Sequence, residues 1–80
     1  MQADTEFHPV TELNNYMFKI GRSAEIEWVE NCTGPPHNPI WHIRCTVGSH
    51  GPFFGTGNKK MVAKNEAATN ALIALGLITS

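Results

Sequence analysis

The stretch GTGNKKMVAKNEAATNAL, residues Gly55 to Leu72, changes its periodicity part-way along. Its two glycines end an extended segment, and Asn58 is a residue type that caps helices. From there Ala63, Ala67, Ala68, Ala71, Leu72 and then Leu75 recur at helical spacing, with Gly76 as the stop. The spacing predicts a helix from Asn58 to about Leu75. Because its packing stripe opens on alanines, the helix axis can approach a sheet closely, so a helix laid on a sheet is the expectation for the chain. On a helical wheel Lys60 and Lys64 fall beside that stripe, and they stay solvated only where the first turn overhangs the sheet edge. That requirement puts both ammonium groups at an exposed rim.

Upstream, FFGTG (53–57) reads as a short strand and GSHGP (48–52) as the turn before it. IWHIRCTV (40–47) alternates, with Trp41, Ile43, Cys45 and Val47 on one face and His42, Arg44 and Thr46 on the other. AEIEWVE (24–30) alternates as well, Ile26 and Trp28 against Glu25 and Glu27. Between these two strands NCTGPPHNP (31–39) is loop by composition, since Pro35, Pro36 and Pro39 remove three amide donors. Near the start, Val10, Leu13, Met17 and Ile20 form an amphipathic stripe, Pro9 suits the first helical position and Gly21 the stop, which predicts a helix over 9–20. The fold class is therefore α+β, α-β-β-β-α, with a three-stranded antiparallel sheet and both helices packed on one face. Residues 1–7 are expected to be a flexible lead, 8–77 one domain and 78–80 a tail.

Eighty residues bound the chain to one domain with a core of marginal size. With 41% apolar and 16% charged residues it is too apolar for a disordered chain, and no apolar run is long enough to span a bilayer. MQADTEFH lacks the basic start and apolar run of a secretion signal, and the domain is expected to come from a longer protein. A net charge of −1 excludes a general positive field as the means of holding nucleic acid, so any phosphate contact must be local. Lys59, Lys60 and Lys64 fall within six positions while Glu25, Glu27 and Glu30 gather elsewhere, so charge is segregated along the chain. Cys32 and Cys45 lack C-x-x-C spacing and read as reduced thiols, which goes with a cytoplasmic or nuclear location.

Cys32, His37, His42, Cys45 and His50 lie within nineteen residues, but their spacing fits no finger or ribbon, and His42 and Cys45 leave opposite faces of one strand. No metal and no cofactor are expected. The acids are dispersed, no serine sits in a nucleophile elbow, and Cys45 occupies a core position, so neither an active site nor a small-molecule substrate is expected. GTGN resembles a phosphate-cradling glycine loop without the remainder of a Walker or dinucleotide motif.

What stands out is a pair of lysines at a helix start, where the macrodipole is already positive. Free amides plus ammonium groups make an anion receptor. Two further polar groups accompany it: Thr11, Asn14 and Asn15 on the first helix, and His37 in the proline-rich loop. In these residues the chain resembles the double-stranded RNA-binding domain family. HPVTELNNY is similar to that family's opening helix, GPPHNPIW to its Gly-Pro-x-His loop, and GTGNKKMVAKNEAATNAL to its G-x-G-x-S-K-K-x-A-K-x-x-A-A-x-x-A-L signature. The resemblance covers residues 8 to 77.

It implies binding of duplex RNA by shape over about 16 base pairs. Thr11, Asn14 and Asn15 would meet one minor groove, and His37, with Pro36 and Asn38, the next. Lys60 and Lys64, helped by Lys59, would sit on phosphates of the intervening major groove. RNA processing or RNA silencing is the implied setting. Asn15 stands where the family most often has Glu, and Met61 where it has the second signature Lys; Lys59 compensates for Met61, which predicts a shallow salt dependence. Two other readings stay open: a protein-interaction module or homodimer of the same fold, contacting through a sheet edge, a helix face or an exposed Phe18, and an accessory domain of a larger RNA-processing enzyme.

Overall fold

The computed structural model describes residues 8–79; the expected lead, 1–7, and Ser80 of the expected tail lie outside the described residues. Helix α1 (Pro9–Lys19) leads through one 3₁₀ turn (Ser23–Glu25) into β1 (Ile26–Thr33), β2 (Ile40–Val47), β3 (His50–Gly57) and helix α2 (Lys60–Ala74). The strands form an antiparallel meander in the order β1-β2-β3, and both helices lie on one face of it.

Each helix stops for the same reason. Arg22 N donates to Met17 O and Gly21 N to Phe18 O, at 2.8 and 3.0 Å, and the pattern repeats with Leu77 N to Leu72 O and Gly76 N to Ile73 O. Gly21 and Gly76 hold φ of 74° and 76°, the left-handed conformation this cap requires.

The boundaries depart from expectation at three places. Strand β1 runs to Thr33, because Asn31, Cys32 and Thr33 pair with His42, Trp41 and Ile40, so part of the stretch read as loop is sheet. Strand β3 begins at His50, ahead of Phe53. At α2 the cap is Lys59 and not Asn58, and no side chain bonds the first turn. Ile20 also leaves the expected stripe: it ends α1 and is half exposed.

The core takes Leu13 and Met17 from α1, Ile43, Cys45 and Val47 from β2, and Ala63, Ala67, Ala68, Ala71 and Leu72 from α2. Burial pushes the Cys45 thiol up to about 11, which keeps it protonated and inert. The alanines matter because α2 lies directly on β3. A Cβ added at Gly55 would fall 2.1 Å from Ala63 O and 2.6 Å from Ala67 N, and one at Gly57 2.7 Å from Val62 Cγ1. GTGN is thus a helix-docking surface and not a phosphate cradle. Helix α2 also covers the outer edge of β3: Glu66 Oε1 accepts from Thr56 N at 2.7 Å, and Asn70 Nδ2 donates to Phe54 O at 2.9 Å. Groups that would otherwise template a further strand are satisfied.

Candidate nucleic-acid interface

Antiparallel pairing puts Trp28, Glu30 and Cys32 of β1 opposite Cys45, Ile43 and Trp41 of β2, on the face that carries the helices. Helix α2 sits over β3, and Lys60 and Lys64, one turn apart, reach from it across β2 towards β1. The Lys60 ammonium lies 5.0 Å from the centre of the Trp41 ring and that of Lys64 4.9 Å from Trp28. Their stems close the open side of the core while the charges meet aromatic faces.

Two expectations are corrected here. The first turn of α2 does not overhang the sheet, since Gly57 packs against Val62; the lysines keep contact with water by lying over the tryptophans. Their side chains are 48% exposed at Lys60 and 22% at Lys64, so Lys64 is partly covered and not at a rim. Nor is charge segregated in space. Glu30 Oε1 stands 3.2 Å from the Lys60 ammonium and Oε2 3.9 Å from that of Lys64. The alternation that places Trp28 on the inner face places Glu30 there too, and that parity was the available signal.

Lys59 is exposed at the cap position, and its carbonyl accepts from Ala63 N at 3.1 Å. With no capping side chain and no acid in the first turn, α2 presents its first amides and three lysines at one end. The β1–β2 loop lies at that same end, since Trp41 pairs with Gly57. Pro36, His37 and Asn38 are all exposed in it. Asn38 N donates to Pro35 O at 3.0 Å, a backbone turn that holds the loop, while the described residues offer the His37 ring no hydrogen bond or ion pair.

Thr11, Asn14 and Asn15 are exposed on the outward side of α1. Phe18, 76% exposed, shares that side at helical spacing. This group does not meet the lysines: Asn15 lies beside Leu72, Leu77 and Ile78, at the far end of α2. The 15 residues of α2, at 1.5 Å each, separate the two groups by about 22 Å.

Residues 9–75 match the model of the double-stranded RNA binding motif. The chain belongs to that family. Three curated relatives of the motif are named Ribonuclease 3. That of Buchnera aphidicola subsp. Baizongia pistaciae (strain Bp) is 34% identical over 76 residues, 94% of this chain and 34% of the relative. That of Buchnera aphidicola subsp. Acyrthosiphon pisum (strain APS) is 31% identical over the same shares, and that of Blochmanniella pennsylvanica (strain BPEN) 33% over 73 residues, 90% and 32%. The chain spans about a third of the length of these relatives. Among the described residues no three His, Cys, Asp or Glu side chains converge as a metal site, and His42 instead meets Thr33 Oγ1 at 2.9 Å on the outer face of the sheet.

Proposed function

We propose that this motif binds double-stranded RNA by shape, with Lys59, Lys60 and Lys64 on phosphates across a major groove. The loop of Pro36, His37 and Asn38 enters one flanking minor groove, and Thr11, Asn14 and Asn15 the other. The observation that carries the reading is the uncapped start of α2, free of acids, with its lysines at the same end of the sheet as an exposed histidine whose ring has no intramolecular partner among the described residues. A-form RNA closes its major groove to a helix but leaves the flanking phosphates accessible to a positive helix end. An intracellular setting, and a place as the substrate-holding part of a larger RNA-processing enzyme, go with the Ribonuclease 3 relatives and the share of them that this chain spans. The motif itself carries no catalytic step in this reading.

The test is a titration of a GC-rich RNA duplex of about 20 base pairs against DNA of equal sequence at two salt concentrations. RNA should bind in preference. Lys60→Ala combined with Lys64→Ala should weaken it and reduce the log-log salt slope by nearly two, at somewhat under one unit per phosphate contact. Unchanged RNA binding in that variant would refute the lysine assignment. Exposed Phe18 favours one other reading, a protein-interaction module, and binding to neither duplex would select it.

A further inference from the structure

The two lysines that the proposed function places on phosphate are not free cations in the unbound domain. One carboxylate, that of Glu30, spans both, 3.2 Å from Lys60 and 3.9 Å from Lys64. It projects from an inner-face position of β1, opposite Ile43, where the flanking inner-face positions hold Trp28 and Cys32. An apolar side chain would suit that position by pattern. Its charge therefore needs an explanation other than packing.

We propose that Glu30 is a built-in competitor for the phosphate backbone, which holds RNA affinity down by neutralising Lys60 and Lys64 until the duplex displaces it. The inference rests on the reading above. Three features support it. The ion pairs are partly exposed, with the Glu30 side chain 36% accessible, so they are weak enough for phosphate to break. The lysines do not depend on Glu30 for their placement, because Trp41 and Trp28 seat them independently. And a phosphate on the far side of the Lys60 ammonium would leave two anionic oxygens about 6 Å apart, close enough for repulsion at surface dielectric values to change affinity about three- to tenfold.

The experiment measures binding of the 20-base-pair RNA duplex by the full chain, by Glu30→Gln, by Lys60→Ala/Lys64→Ala and by the triple variant, each checked for folding by circular dichroism. Glu30→Gln should bind about three- to tenfold more tightly at low salt, with the gain fading as salt screens the carboxylate. In the lysine-free background the same substitution should change affinity less than twofold. Glu30→Thr removes the charge with a residue suited to a strand and carries the same expectation, should Gln disturb the sheet. Equal or weaker binding by both variants, while the wild type binds and the lysine variant does not, would overturn the competitor role and leave the RNA-binding reading standing; weaker binding would make Glu30 a positioning residue. A gain undiminished without the lysines would equally overturn it. Absence of binding by every form would instead remove the reading on which it rests.

Discussion

Substituting Gly55 with alanine adds one methyl group where α2 touches β3, and the structure leaves it nowhere to go. The new Cβ would stand 2.1 Å from Ala63 O, 2.6 Å from Ala67 N and 3.0 Å from Glu66 Cβ. The first two are backbone atoms of one helix, so no rotamer change relieves the clash, and α2 must lift by more than about 1 Å to restore ordinary contact distances. Lifting opens the seam that Ala63, Ala67, Ala68 and Ala71 seal, which are fully buried. Overpacking costs typically about 1–3 kcal/mol, and the rigidity of these neighbours puts Gly55→Ala at the top of that range. Alanine's intrinsic advantage over glycine, about 0.5–1 kcal/mol, offsets little of it. At about 4–8 °C per kcal/mol for a domain of this size, the thermal midpoint should fall by roughly 12–24 °C. Gly57→Ala serves as the internal comparison: its nearest neighbour is the side chain of Val62, which can rotate, and its cost should be about half. Thermal and urea unfolding followed by circular dichroism read both. A Gly55→Ala domain within about 0.5 kcal/mol of wild type would refute the claim that these glycines exist for helix docking.

Two further outcomes follow from groups near the same contact. Because burial raises the Cys45 thiol from 9.0 to about 11 against a small opposing effect of Lys64, the folded state holds that proton more tightly than the unfolded state does. The stability it protects is complete below pH 9 and declines as pH rises from about 9 to about 11, by up to roughly 1.4 kcal/mol per unit. Cys45→Val should lack that component of the decline, and identical alkaline profiles for the two proteins would contradict the assignment. Asn70→Ala removes the donor to Phe54 O and, on an exposed edge, should cost about 0.5–1 kcal/mol. Glu66→Ala should speed hydrogen exchange at the Thr56 amide, and an unchanged rate there would show that the edge is protected by something else.

How far the sequence could be read depended on whether a signal was periodic or positional. Strand β2 occupies the residues its alternation predicts, and both glycine stops hold, because a period of two or a left-handed cap is set by local sterics. The extra length of β1 and β3 was not legible, since it comes from pairing with a neighbour and not from the strand's own composition. Asn58 failed as a cap for a related reason: the helix can start only where Gly57 has already docked on Val62. At the interface, the identities of Lys60 and Lys64 were legible but their setting was not. A helical wheel places them beside the buried stripe and says nothing of the two tryptophans, from different strands, that extend the apolar floor beneath them.

That floor changes what the lysines mean. Were Lys60 and Lys64 simply solvated, alanine at either position would remove charge alone, and any loss of RNA binding would measure phosphate contact. Instead their stems cover Trp41 and Trp28, so Lys→Ala also uncovers aromatic surface, and stability and affinity should fall together. Lys→Met at the same positions keeps an unbranched, largely apolar side chain while deleting the ammonium, which separates the two effects. If phosphate contact is the purpose, Lys60→Met combined with Lys64→Met should unfold close to the wild-type midpoint and still lose the salt-dependent part of RNA binding. Retention of that part by a stable Met variant would mean that the cations serve the tryptophans and Glu30, and that the duplex is held elsewhere.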